Sequence, residues 1–170
     1  MRTLKLTAKD FNKTDYYWKE YKGKTDLSDF EGHLEIEGGL GHVRFDALFV
    51  TGSISAEAGT GIEAGDGIEA GWGIKAGDGI EAGDGIEAGL SITCKLVLKF
   101  AYRLFAGTAT WRNTDDEEKT ITCGKLEGGR VCYGDIKELG MPKEEESGEG
   151  LSGKEVKVTV DGKEYTAIIK

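Results

Sequence analysis

A six-residue pattern of apolar and polar positions dominates the middle of this chain. Residues 61–88 repeat Gly-Ile-Glu-Ala-Gly-Asp with few changes, and an aliphatic residue recurs at every sixth position from Ile62 to Leu104. A second apolar position follows two residues after each aliphatic one, and within 61–88 the residue between them is charged. Alternate residues of a strand face opposite sides, so each unit predicts a very short strand with its apolar residues inside and its charge in water.

The pattern does not fit a helix. A period of six residues cannot keep one side of a 3.6-residue helix apolar, and each glycine would cost a helix about 1 kcal/mol relative to alanine. The glycines instead flank one variable position, as in Gly65-Asp66-Gly67, where we expect the chain to bend with the positive φ that glycine tolerates. Strands alternating with bends predict an all-β fold, a single-stranded parallel β-helix or β-solenoid.

The repeat resembles that of the hexapeptide-repeat parallel β-helices. The resemblance implies triangular coils of about eighteen residues, in which Ile62, Ile80 and Leu98 stack at the spacing of paired strands. Members with the usual left-handed signature carry a small residue two positions before the aliphatic one, where this chain has Asp66, Trp72, Asp78 and Asp84. The handedness therefore stays open. Bactofilin-type solenoids, with windings of similar length, are an alternative.

Changes in the pattern predict four regions. Residues 1–31 form an N-terminal strand followed by a Tyr- and Trp-rich segment, either a short helix or a cap over the open end. Residues 32–138 form the solenoid, and residues 139–153 form a linker. Residues 154–170 alternate around Asp161-Gly162, which predicts a β-hairpin. This hairpin either folds against the body or serves as a separate adhesive strand pair.

Composition and net charge limit the classes of partner that the protein is expected to bind. The net charge of −9 and a pI near 4.8 oppose binding to duplex nucleic acid, which needs a basic face. No apolar run is long enough to cross a bilayer and the N-terminus has no secretion-signal pattern, so we expect a cytoplasmic protein that does not engage membranes. Cys94 and Cys123 fall on inward positions and are interpreted as small buried hydrophobes. We predict neither a metal site nor a cofactor.

Two histidines are the candidates for catalysis. The resemblance to hexapeptide-repeat enzymes implies acyl transfer with a histidine as general base, in a site between the subunits of a trimer. His33 and His42 are the only histidines, and no carboxylate at a diagnostic spacing orients either of them. An acyltransferase-like enzyme is therefore the alternative function, and no catalytic residue is assigned in the preferred one.

The acidic positions are the more informative candidates. Coils of eighteen residues would stack like charges on neighbouring strands, which is destabilising. We consider three interpretations: a solvated face, weak binding of divalent cations, and docking onto a basic protein groove in imitation of nucleic acid, which five-residue-repeat β-helices are known to do. The candidate partner-binding carboxylates are Glu63, Asp66, Glu69, Asp78, Asp84, Glu81 and Glu87.

Trp72 and Lys75 interrupt the acidic series within one unit. A tryptophan at a bend is either an interface anchor or covered by a cap or a loop such as 112–120, and we expect it to stack on Leu90. The two residues complete the predicted partner-binding set.

The chain as a whole is similar to small uncharacterised proteins of phages and bacterial mobile elements. The similarity rests on the IEAG repeats, the ITCGKL segment at 121–126 and the Asp-Gly hairpin. It implies an accessory protein that inhibits a host or defence factor. We therefore predict a non-enzymatic binding or assembly protein with a protein partner, self-association, or both. The alternatives are the acyltransferase-like enzyme and a bactofilin-like polymer.

Overall fold

The computed structural model describes residues 1–23, 25–142, 155–160 and 163–168, the last two ranges only as paired strands. These residues contain nineteen strands, two short 3₁₀ helices (Ala8–Asp10 and Glu117–Lys119) and no α-helix. The strands are β1 Thr3–Leu6, β2 Phe11–Lys13, β3 Trp18–Tyr21, β4 His33–Ile36, β5 Gly41–Phe45, β6 Leu48–Val50, β7 Ile54–Ala56, β8 Thr60–Ala64, β9 Ile68–Ala70, β10 Ile74–Ala76, β11 Ile80–Ala82, β12 Ile86–Ala88, β13 Ile92–Cys94, β14 Val97–Ala106, β15 Thr120–Cys123, β16 Lys125–Tyr133, β17 Asp135–Glu138, β18 Glu155–Val160 and β19 Lys163–Ile168. The predicted all-β class is confirmed.

Parallel pairing arranges most strands in three ladders. The first ladder runs β1-β4-β7-β10-β13-β15-β17. The second runs β3-β5-β8-β11 and continues into the first halves of β14 and β16. The third runs β6-β9-β12 and continues into their second halves. Because β14 and β16 extend across both, the second and third ladders form one ten-stranded sheet.

Consecutive strands enter the ladders in turn. Strands β10, β11 and β12 lie in the first, second and third ladders, and β13 returns to the first. Within the repeat, Ile62 pairs with Ile80, and Ile68 with Ile86. Both pairs are eighteen positions apart, which confirms the predicted stacking.

The isoleucine positions form the core. Ile62, Ile68, Ile74, Ile80, Ile86 and Ile92 are at most 1% exposed, and the residues two positions later, five alanines and Cys94, are also buried. Complete burial of such a side chain contributes about 1.5–3 kcal/mol. The predicted inward face is confirmed.

Glycine occupies the bends of the repeat for a reason different from the predicted positive φ. None of those at 61–89 has positive φ. A Cβ added at Gly83 would lie 1.8 Å from the Gly65 carbonyl oxygen, and one at Gly89 would lie 2.0 Å from that of Gly71. At these positions glycine is needed because the backbones of stacked bends touch, which is a steric constraint between strands and not a conformational one.

The N-terminal residues begin all three ladders. Strand β1 pairs with β4, β3 pairs with β5, and Phe30 forms a bridge to Val50. The Tyr- and Trp-rich segment contains the antiparallel strands β2 and β3 and no helix, so the short-helix alternative is wrong. Phe11 on β2 packs edge-on against Phe45, with ring centroids 5.8 Å apart, and covers this end of the core.

At the other terminus, β18 and β19 pair antiparallel, with Val160 opposite Lys163, as the hairpin prediction requires. The Asp161-Gly162 turn and linker positions 143–153 lie outside the described residues. Within the described ranges, none of the helices has the length and apolar character needed to cross a membrane.

A candidate binding groove along the third ladder

The nine predicted partner-binding residues separate onto different sides of the molecule. Glu63 and Glu81 lie on the second ladder, Glu69 and Glu87 on the third, and Lys75 on the first. The remaining four lie at bends: Asp66 and Asp84 between the second and third ladders, Asp78 between the first and second, and Trp72 between the third and first. The acidic residues therefore do not form one continuous surface.

On the second ladder the carboxylates have partners within the protein. Register places Arg44 beside Glu63 and Lys99 beside Glu81. The Arg44 guanidinium lies 3.2 Å from a Glu63 oxygen, and the Lys99 ammonium lies 2.5 Å from Glu81. The like-charge contact between Glu63 and Glu81 is thus flanked by a cation on each side, which offsets its repulsion.

Glu63 does not face water as predicted. It is only 7% exposed, because Tyr17 and Trp18 from the N-terminal segment cover this part of the ladder. The Tyr17 hydroxyl donates to Glu63 Oε2 over 3.4 Å, and burial, followed by the charges of Glu63 and Glu81, raises the pKa of that hydroxyl. The Arg44 guanidinium also lies over the Trp18 ring, 4.9 Å from its centroid. The side chain of Glu63 is therefore part of a structural cluster rather than a free surface.

The third ladder holds its carboxylates between aromatic rings. Phe49 is the register partner of Glu69, Glu69 of Glu87, and Glu87 of Phe105. In the described part of the chain, no ion pair within 4.0 Å includes Glu69 or Glu87. Burial of part of the Glu69 side chain, together with the charge of Glu87, raises the pKa of Glu69. This carboxylate pair is thus held without an ion pair among the described residues, and Glu87 accepts a hydrogen bond from the Thr108 hydroxyl over 3.0 Å.

A tryptophan pair borders the same ladder. Trp72 packs against Trp111, with ring centroids 5.8 Å apart, and its ring is nearly perpendicular to that of His33, with centroids 5.1 Å apart. Trp111 belongs to the loop that follows β14, immediately before the segment expected to cover Trp72. The Leu90 amide donates to the Trp72 carbonyl over 3.2 Å, so the two bends lie next to each other, while stacking of the two side chains stays a prediction. Both indoles remain partly exposed, so this loop covers Trp72 incompletely.

These side chains line two adjoining cavities that share Phe49, Glu69 and Glu87. The larger has a volume of about 650 Å³ and adds Trp72 and Trp111. The smaller, of about 420 Å³, adds Asp66, Asp84, Arg103 and Phe105. We call the larger one the aromatic–acidic groove. Its lining combines two indole rings, the phenyl ring of Phe49 and two carboxylates, a combination suited to a cation that carries apolar atoms.

Several of these residues have no signal in the repeat. Phe49 precedes it, in a part of the chain where register partners are twenty positions apart, so counting in eighteens misses it. Trp111 lies on a loop, and the period of the repeat does not predict where a loop outside the repeat lies. Lys99 could have been found, because it follows Glu81 by eighteen positions.

The two histidines lie on different ladders, and His33 contacts the groove through the ring of Trp72. His33, on the first ladder, accepts the Ser53 amide through Nδ1 over 3.0 Å, and the Ser53 hydroxyl lies 2.9 Å from the same nitrogen. His42, on the second ladder, packs edge-on against Tyr17, with ring centroids 5.3 Å apart. The Nδ1 lone pair of His33 is thus engaged in local structure.

The thiols and carboxylates also give no metal geometry. No group of three or more His, Cys, Asp or Glu side chains in the described ranges is arranged to hold a metal ion. Cys94 and Cys123 are buried free thiols, and burial raises the pKa of Cys94 to about 12. Comparison of the chain with protein-family models, with curated proteins and with solved structures found no match.

Proposed function

We propose that this chain is a triangular parallel β-solenoid that acts as a non-enzymatic binding protein, and that its aromatic–acidic groove binds a basic segment of a partner protein. The solenoid is supported by the rotation of consecutive strands through three ladders and by the eighteen-residue offset between paired strands of the repeat. Strands stacked about 4.8 Å apart hold outward side chains at fixed spacing, which makes the groove a pre-organised surface.

The observation that carries the proposal is that, among the described residues, no cation is the register partner of Glu69 or Glu87 or forms an ion pair with either. The second ladder places Arg44 and Lys99 beside its glutamates, whereas the third places Phe49 and Phe105 there. A lysine or arginine side chain from a partner would supply the ion pair that Glu69 and Glu87 lack among the described residues. Burial raises the pKa of Glu69 and repulsion from Glu87 raises it further, and the partner's charge would relieve the repulsion.

The aromatic residues extend the argument from charge to specificity. A cation against an indole ring gains about 0.5–2 kcal/mol, and tryptophan is enriched among residues that dominate binding energy. The volume of about 650 Å³ lies in the range of ligand pockets, so it accommodates inserted side chains and not only a flat contact. Proteins that bind nucleic acid carry basic segments of this kind on their surfaces, and they are the partner class that we propose.

The test is the binding of a fluorescein-labelled peptide of alternating lysine and glycine, measured by fluorescence anisotropy, with a glutamate–glycine peptide as the control ligand. We expect the lysine peptide alone to bind, and its affinity to fall as NaCl rises from about 50 to about 300 mM. Quenching of tryptophan emission upon binding would place the peptide near the Trp72–Trp111 pair.

Charge removal at two matched places separates the groove from general acidity. The double variant Glu69→Gln, Glu87→Gln should weaken binding at least about tenfold, equivalent to 1.4 kcal/mol. The double variant Glu81→Gln, Glu127→Gln removes the same charge from the second ladder and should change affinity less than about threefold. Equal weakening by the two pairs would show a diffuse electrostatic attraction and contradict a site in the groove.

A further inference from the structure

The two ends of the ladders are covered very differently. At the N-terminal end, Phe11, Leu27 and Phe30 are buried and close the core. At the opposite end, Ile136 on β17 is 50% exposed, although it is the register partner of Ile121, which is fully buried. Leu139, just after β17, is 64% exposed. The core column of the first ladder thus ends at an uncovered isoleucine.

The same end has a free strand edge. Strand β17 is the last member of the first ladder and pairs only with β15 in the part of the chain that the structure describes. A free edge next to exposed apolar side chains is a site for pairing or packing with another segment.

We propose that the β18–β19 hairpin covers this end of its own chain. Register places Val158 opposite Tyr165 and Val156 opposite Ala167. Directly paired residues of an antiparallel ladder share one face, so these four residues fall on the same face as the pair Val160 and Lys163, which leaves one charged residue at the turn end of a mainly apolar face. The opposite face carries Lys157, Thr159, Glu164 and Thr166, together with Glu155 and Ile168. A two-stranded hairpin is at best marginally stable alone, and burial of its apolar face would stabilise it.

The chain is long enough for this contact. Twelve residues separate Pro142 from Glu155, and a chain of that length spans up to about 40 Å. The last strands of the ladders are only about 10–20 Å long, so the connection reaches any point of the end. A short tether of this kind gives an effective concentration of order millimolar, which favours a contact within one chain.

The small area of this end of the ladders argues against a second copy of the chain as the element that covers it. A triangular end with sides of about 20 Å encloses only about 170 Å², whereas a stable interface buries about 800 Å² on each partner. Two free molecules would therefore associate weakly through their ends, but a tethered hairpin avoids most of the entropic cost of association.

Hydrogen exchange of the full-length protein, followed by mass spectrometry, tests the proposal through two matched variants. Val158→Lys places a charge on the apolar face of the hairpin, and Thr159→Lys places the same residue on the other face. In Val158→Lys, peptides covering 135–141 should exchange at least about tenfold faster than in the wild type, while peptides covering 80–88 stay protected and confirm the fold. In Thr159→Lys, both regions should match the wild type.

A second pair of matched variants changes strand β17 instead of the hairpin. Ile136→Ser should accelerate exchange in 155–168, whereas Lys137→Ser, one position along the same strand, should not. Unchanged exchange at 135–141 in Val158→Lys would overturn the proposal. Protection at 135–141 that disappears on about hundredfold dilution would also overturn it, because it would assign the covering to a second copy.

Discussion

The second and third ladders contain the same Gly-Ile-Glu-Ala unit, yet the glutamates of the two ladders have different surroundings. Glu81 on the second ladder is paired with Lys99, and Glu63 with Arg44. Glu69 and Glu87 on the third ladder lie in register between Phe49 and Phe105, and neither has an ion pair within 4.0 Å among the described residues. The surroundings of a repeated glutamate therefore depend on the paired strands that lie outside the repeat.

Substitution of a buried isoleucine should destabilise the protein equally on the second and third ladders, and it should have the largest effect on the free energy of unfolding. Ile80→Asp and Ile86→Asp each place an unpaired charge in the core, on the second and third ladders respectively. We expect each to cost more than about 4 kcal/mol or to abolish the cooperative transition in urea followed by circular dichroism. The outward variant Lys75→Ser is the control. A clearly smaller loss for one isoleucine would show that the ladders differ in their core as well.

Removing the cation that pairs with the nearly buried Glu63 should have the next largest effect. Arg44→Ala leaves the nearly buried Glu63 carboxylate without its ion pair, and we expect a loss of about 1–3 kcal/mol in the free energy of unfolding. Lys99→Ala is the control, because its partner Glu81 is more exposed and the loss should be about 0–1 kcal/mol.

A rescue variant sharpens this result. Neutralising the partner as well, in Arg44→Met with Glu63→Gln, should recover part of the stability lost in Arg44→Ala, since no charge is then left buried. A double variant as unstable as Arg44→Ala would mean that the loss reflects packing of the arginine over Trp18 and not the unpaired charge.

Glutamine replacements should have opposite signs on the two ladders. Glu87→Gln removes a like-charge contact with Glu69 while leaving an oxygen to accept the Thr108 hydroxyl, so we expect stabilisation by about 0.2–1 kcal/mol. Glu81→Gln removes the Lys99 ion pair along with the repulsion from Glu63, and it should be neutral or destabilising by up to about 1 kcal/mol. Thermal melts of both variants at low salt measure the signs. The same sign for both would contradict the contrast between the ladders.

The positions of the inward-facing side chains could be predicted from the sequence, whereas the surroundings of the outward-facing side chains could not. The isoleucine spacing predicts the strands, their inward faces and the stacking of Ile62 on Ile80, because core geometry repeats whenever the sequence does. The burial of Glu63 depends on Tyr17 and Trp18, from a segment with no periodicity. The groove depends likewise on Trp111, from a loop.

The smallest and most specific effect concerns pH and Glu69. Its pKa is raised in the folded state by partial burial and by Glu87, from an ordinary value of 4.5, so folding favours the protonated form. The stabilising contribution of the proton is complete below the unfolded pKa and is lost as pH rises through the folded pKa. Glu69→Gln should therefore be more stable than the wild type at pH 7, and the difference should shrink towards zero as the pH falls to about 4.

The comparison with the variant isolates this residue from other acid-sensitive groups. The Ser28 hydrogen bonds lower the pKa of Asp26, and Lys125 lowers that of Glu127. The contribution of each of these carboxylates to the free energy of unfolding is lost on acidification. The same loss occurs in the wild type and in Glu69→Gln, so it cancels when the two stabilities are subtracted. Urea unfolding at a series of pH values provides the measurement. A stability difference that grows as the pH falls would mean that the Glu69 carboxylate is stabilised by a partner in the folded state, and the third ladder would then resemble the second.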